Sequence, residues 1–205
     1  MTPNKVYLLS PARCDGKRAE LLLNPHADFA LARQLREPEG ASLGEVFSFL
    51  SGLYFRGKLT YARNFAIQAG EAMPIMIITT SRGLRTPDER VVRADLVEFA
   101  GVDIAAGDAR YLEPLRRDIA SLDKAIGPDV LMILLGSIAT GKYVDALMEV
   151  FGERLVFPIA FVGRGDMSRG GLLLRQVTEG RELEYAPVVG AVRHGPRPPK
   201  LVRLR

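Results

Sequence analysis

Five short apolar runs, set far enough apart to hold helices between them, limit what this chain can fold into. They are Lys5–Leu9, Pro74–Thr80, Val130–Leu135, Leu155–Val162 and Tyr185–Val189. The second to fourth are almost continuously apolar, the pattern of strands covered on both faces. Segments of helical period lie between them. Leu43 to Ala69 reads as one or two helices, with Gly52 and Gly57 as breaks. Leu112, Leu115, Ile119, Leu122 and Ile126 recur at helical spacing, and Gly127-Pro128 ends that segment. Lys142–Phe151 with Gly152 behind it, and Ser168–Val177 with Gly180 behind it, read as two shorter helices. Strands alternating with helices predict an α/β domain, a largely parallel sheet of about five strands with helices on both faces. The segment 85–107 shows no clear period and is expected to be an irregular insertion, or a long loop with some strand.

At 205 residues, 47% of them apolar, the chain has the material for one sizeable core. The domain is expected to span 1–190 and to be followed by a basic, proline-rich tail over 191–205. The formal charge is +4, and that tail carries Arg193, Arg197, Lys200, Arg203 and Arg205 with no acid, so the body is near neutral at about −1. Either the tail is a solubilising end or it is an arm that meets phosphate or a partner protein. Cys14 is the only cysteine, which rules out an intramolecular disulfide. His26 and His194 are the only histidines, so Cys/His zinc ligation and a Ser-His-Asp triad have little to draw on. No apolar run approaches the roughly 20 residues that span a bilayer, and the N-terminal residues lack a signal-peptide core. A cytoplasmic protein with no membrane partner and no cofactor is the expectation; self-association is left open.

Ligands of open parallel sheets bind outside the carboxyl ends of the strands, so the turns there hold the candidate site. Ser10-Pro11-Ala12-Arg13 follows the first run, Thr80 to Arg85 the second, Gly136-Ser137 the third and Gly163-Arg164-Gly165-Asp166 the fourth. Small residues admit a ligand close to the backbone, and arginine forks suit phosphate or carboxylate. The candidate phosphate or nucleic-acid site is therefore Ser10, Arg13, Ser81, Arg82, Gly83, Arg85, Gly136, Ser137, Tyr143, Arg164, Asp166 and Arg169. Arg13, Arg82 and Arg164 are expected to converge on one anion, or to be paired with Asp88, Asp108 or Asp166.

Gly136 to Tyr143 has the spacing of a P-loop after an apolar strand. Tyr143 stands where a magnesium-binding hydroxyl belongs, and no later strand ends in a suitable acid, so nucleotide hydrolysis through Lys142 is not expected. Asp88, Glu89, Asp95, Glu98, Asp103 and Asp108 suit either acid/base or magnesium chemistry, or simply a solvated surface. Phe47, Phe49, Tyr54, Phe55, Tyr61 and Phe65, beside Arg56, Lys58 and Arg63, suit either a base-stacking platform or, more in keeping with their density in a helical segment, core packing.

The order of short motifs resembles the YaaA-type peroxide-stress family. Leu8-Leu9-Ser10-Pro11-Ala12-Arg13 is similar to that family's Ser-Pro-Ala-Lys opening, with arginine in place of lysine. Thr80 to Asp88 resembles its Ser-Gly-Leu-Tyr-Gly-Leu-Leu-Arg-Pro-Leu-Asp block. Tyr143 to Leu147 resembles its Glu-Tyr helix, and Arg169 to Arg175 its closing Ala-Arg-Gly-Leu-Met helix. The Tyr-Arg-Leu-Glu-Met stretch that follows in the family is replaced by Val91-Val92-Arg93-Ala94-Asp95-Leu96. The resemblance implies a DNA-binding α/β protein tied to oxidative-stress protection. The expected function is binding of nucleic acid or a nucleotide phosphate. The alternatives are an enzyme acting on a nucleotide or nucleobase in the same pocket, with Asp103, Asp108 or Asp166 carrying the proton, and a protein-interaction module.

Overall fold

The computed structural model describes residues 5–66, 73–104, 107–199 and 201. The apolar runs form the centre of a six-stranded sheet. Strands β1 (Lys5–Leu9), β3 (Ile75–Ile78), β6 (Leu131–Leu135) and β7 (Leu155–Pro158) are parallel neighbours. Two short antiparallel strands, β4 (Leu84–Arg85) and β8 (Tyr185–Pro187), close the edges, giving the order β4-β3-β1-β6-β7-β8. A separate two-stranded ribbon pairs β2 (Ala41–Ser42) with β5 (Arg90–Val91).

Alternation along the strands divides the core into two layers. Tyr7, Leu9, Ile75, Ile77, Ile133, Leu135 and Val156 face one side. There they pack against α1 (Lys17–Leu23), α2 (Ala30–Gln34), α3 (Leu43–Ser51), α4 (Leu53–Phe65), α5 (Arg93–Ala100) and α8 (Asp166–Glu179). Val6, Leu8, Ile78, Met132, Leu134, Leu155 and Phe157 face the other side, under α6 (Ala109–Ala125) and α7 (Gly141–Phe151). The register matches: Tyr7 sits beside Ile75 and Ile133, and Ile133 beside Val156, so one row of side chains points one way across the sheet.

The segment 85–107 holds the strand expected of it, in Arg85 of β4 and in β5, but it also holds the helix α5 and is more regular than an insertion. The hairpin from β3 to β4 turns through Gly83 at φ +65°, where a side chain would run into Pro114 O and the Asp118 carboxylate of α6. The expected helix at 43–69 is two helices with Gly52 between them at φ +60°; residues 67–69 lie outside the described residues. Gly57 does not break α4. It faces Gly170 of α8 so closely that a β-carbon on either would strike the other helix's backbone, at 2.8 Å from Gly170 O or 2.7 Å from Leu53 O. The fourth apolar run ends as a strand at Pro158 and continues as a single 3-10 turn, Ile159–Phe161.

The tail does not hang free. Arg193 reaches Asp145 at 3.6 Å, and Gly163 at φ +72° lies against Pro196 O. Leu201 packs beside Gly171. Lys200, Arg203 and Arg205 lie outside the described residues. Among the described residues no helix is long and apolar enough to cross a membrane.

Candidate functional site

β1 lies at the centre of the sheet. The chain leaving it crosses by α1–α4 to β3 on one flank, while β6, on the other flank, continues through α7 to β7. The crossovers diverge between β1 and β6, and a crevice opens where such connections part. Ser10 follows β1 there and Gly136 follows β6. Ser10 N donates to Leu135 O at 3.3 Å, which ties the two ends together. A side chain at Gly136 would force its neighbours apart: a β-carbon would lie 2.8 Å from the Tyr143 hydroxyl and 2.9 Å from Ser10 Cβ.

A buried polar cluster occupies this point. Lys58 of α4 is 1% exposed, and its Nζ lies 2.6 Å from Ser10 O and 2.9 Å from Ser10 Oγ. The same nitrogen sits 4.5 Å from the centre of the Tyr54 ring and 4.7 Å from that of Phe55. The Tyr143 hydroxyl donates to Ser137 O at 2.9 Å and lies within reach of the Ser10 hydroxyl. Arg169 of α8 is 9% exposed and donates to Phe161 O at 3.2 Å and to Asp166 at 3.3 Å. The Tyr54 hydroxyl is buried without a hydrogen-bond partner among the described residues. Burial pushes the Lys58 ammonium down to about 7; the Asp166 charge resists this and the Arg169 charge adds to it. Burial likewise pushes the Tyr143 hydroxyl up to about 12.

Beside the cluster, over the carboxyl ends of β1 and β3, an open cleft of about 580 Å³ runs between the loop after β1 and the loop after α5. Its walls are Pro11, Ala12, Cys14, Thr80, Phe99, Val102 and Ile104, with Arg13, Asp15, Asp103 and Lys142 contributing charge. Lys142 is exposed in the first turn of α7, a turn that holds no acidic residue. Cys14 is buried, and burial followed by the Asp15 charge raises its thiol to about 12, so it is not a thiolate nucleophile.

The structure brings together part of the site expected from sequence. Ser10, Gly136, Ser137 and Tyr143 touch one another, with Arg169 and Asp166 as their charged neighbours. The arginines do not converge. Arg13 is held by Asp15 at 2.6 Å in solvent. Arg82 is held by Asp95 at 2.7 Å and Glu98 at 2.6 Å, beside a bond from Ser81 to Glu98, so Ser81 and Arg82 clasp the β3–β4 turn to α5. Arg85 pairs with Glu89 and Asp118. Arg164 donates to Ala160 O, Ser168 Oγ and Pro199 O. The acids foreseen as partners are used differently: Asp88 pairs with Arg63 and Asp108 with Arg110. Phe47, Phe55 and Tyr61 are fully buried, so the aromatic segment is core and not a stacking platform.

Sequence reasoning passed over Lys58 as a site residue. The signal was present: Tyr54, Lys58, Tyr61 and Ala62 share one face of a helical period, and a lysine on an apolar helix face needs a reason to be there.

No family model, no curated protein and no solved structure matches the chain.

Proposed function

We propose that this chain binds a phosphorylated nucleotide, free or at the end of a nucleic acid, in the cleft at the carboxyl ends of β1 and β3. The observation that carries this reading is the cleft itself. It lies at the edge of a parallel sheet where ligands collect. Its volume of about 580 Å³ is in the range of small-molecule sites. Its floor of Phe99, Val102 and Ile104 offers apolar surface for a base or ribose. Its rim offers the exposed ammonium of Lys142, a compact positive charge suited to an anion. The resemblance of the strand-end motifs to the YaaA-type DNA-binding family supports the nucleic-acid side of the reading.

Fluorescence anisotropy with a 5′-phosphorylated single-stranded oligonucleotide and with labelled mononucleotides tests it. Lys142→Glu is expected to weaken binding about tenfold or more, roughly the loss of one charge-assisted contact. Lys124→Glu, the same charge change at the last turn of α6 on the opposite edge of the sheet, is expected to leave it intact. Affinity is expected to fall between about 50 and 200 mM salt. Equal effects of both variants would show that net charge drives association, and no binding of any probe would reject the reading.

A further inference from the structure

We infer that the unit this protein binds is a dinucleotide step of single-stranded nucleic acid, its inner phosphodiester held at Lys142 with one nucleoside on either side. The inference rests on the nucleotide reading of the cleft and deepens it by naming the ligand.

Two depressions that meet at one cation carry it. The cleft over β1 and β3 has a neighbour of about 630 Å³, a groove between α6 and α7. Ile104 and Lys142 line both, so they form the lip between cleft and groove. Each volume is in the range of a small-molecule site. The groove offers Leu112 of α6 and Ala146 of α7 as apolar surface, and Gly107 and Gly141 leave its backbone open to close approach. A ligand that fills both depressions has two bulky, partly apolar parts joined by a link that crosses the lip at Lys142.

Charge narrows the nature of that link. The walls carry Arg13, Arg116 and Lys142 as cations and Asp15, Asp103, Asp145 and Glu149 as acids. Arg13 is held by Asp15, Arg116 by Glu149 at 3.3 Å, and Asp145 pairs with Arg193 of the tail. The Lys142 ammonium is exposed and, among the described residues, makes no ion pair or side-chain hydrogen bond. One such cation, with acids on both sides of it, suits a link of a single negative charge. An internucleotide phosphodiester carries one, whereas a terminal phosphate carries about 1.5 to 2. A dinucleotide step has this pattern: a base and sugar, one monoanion, a second base and sugar. One cation meets one phosphate, so the surface suits a short single strand and not a duplex, whose binding sums many phosphate contacts.

The test is calorimetric titration of the full chain with dinucleoside monophosphates of thymidine and of uridine, which carry one phosphodiester and no terminal phosphate, beside the 5′-mononucleotides. The better dinucleoside monophosphate is expected to bind at least about tenfold tighter than its mononucleotide, and to lose about tenfold or more in Lys142→Glu. Placement is read in the unaltered chain by photo-crosslinking with 5-iodouracil at one position or the other and peptide mass spectrometry. One position is expected to label 99–104 in the cleft and the other 112–116 or 145–149 in the groove. A mononucleotide that binds as tightly as the dinucleoside monophosphate, with both weakened by Lys142→Glu, would overturn the two-sided site and leave the cleft reading standing. Both iodouracil positions labelling one segment would do the same. If no probe binds, both readings fall.

Discussion

A lysine buried on the inner face of α4 is a constraint on folding. The ordinary value of its ammonium is 10.5, and burial brings it to about 7 in the folded chain. Between those two pH values the unfolded chain holds a proton that the folded chain does not, so lowering the pH through this range favours unfolding. Below about 7 both states hold the proton and the penalty is constant. From about pH 9 upward, Cys14, raised by burial to about 12, works in the opposite sense, because the unfolded thiol ionises first. The clean window is therefore pH 7 to 9. Stability measured by urea unfolding is expected to rise across it by an amount on the order of 1 kcal/mol or more, and Lys58→Met is expected to flatten that rise. A rise of the same size in the variant would assign the effect to another group. Arg82 behaves differently. With its guanidinium held by Asp95 and Glu98 at the β3–β4 turn, Arg82→Glu would place a third acid beside two others and loosen α5, so a loss of binding in that variant would report on the turn, not on a ligand contact.

At the scale of elements, the pairing of α4 with α8 decides where Lys58 and Arg169 stand. Gly170 lets the helices approach until backbone meets backbone: a β-carbon there would lie 2.7 Å from Leu53 O and 2.8 Å from Tyr54 Cα. Alanine favours an isolated helix by about 1 kcal/mol over glycine, but the neighbour here is backbone and cannot swing away. Gly170→Ala is expected to destabilise the chain by about 1 to 3 kcal/mol in spite of its better helix propensity. Urea unfolding checks this, and a more stable variant would mean that the helices part without cost. The same pair shows where the sequence was readable. β1 is legible to the residue, and β6, α7 and α8 nearly so, because their apolar periods are long and their ends carry Gly152 and Gly180. Gly57 reads as a break because its reason lies in another helix. The strands β4 and β5 have two residues each, too few to show a period, and they exist through their pairing with β3 and β2. In α5 only Leu96 and Phe99 are buried, so no apolar stripe marks it. Of the candidate site, the residues placed by strand ends were legible. The arginine partners were not, since any arginine in a turn looks available until the acids of another element are placed beside it.

For the molecule as a whole, the open question is what the basic tail holds. β8 runs antiparallel to β7, so the chain reaches Pro187 at the amino edge of the parallel strands. Val188 is still core, at 1% exposure, and Gly190 turns at φ +72°. The remaining described residues climb back along α7, past Asp145 and Met148, to lie against Val162 and Gly163 at the carboxyl edge. Their polar contacts are few: Arg193 makes a 3.6 Å ion pair with the mostly exposed Asp145 and a 3.6 Å bond to Met148 Sδ, and Arg164 donates to Pro199 O at 3.4 Å. Contacts of that kind contribute about 1 kcal/mol or less apiece. Pro196, Pro198 and Pro199 carry no N–H to extend the sheet. Truncation after Gly190 is therefore expected to preserve one cooperative unfolding transition and to lower its midpoint by only a few degrees. The local consequence should be larger. Gly163, now pressed against Pro196, and the first turn of α8 lose their cover, so amide exchange is expected to quicken over 162–169 and to stay unchanged in α6. Loss of cooperative unfolding, or exchange that quickens evenly across the sheet, would show that the strap belongs to the core.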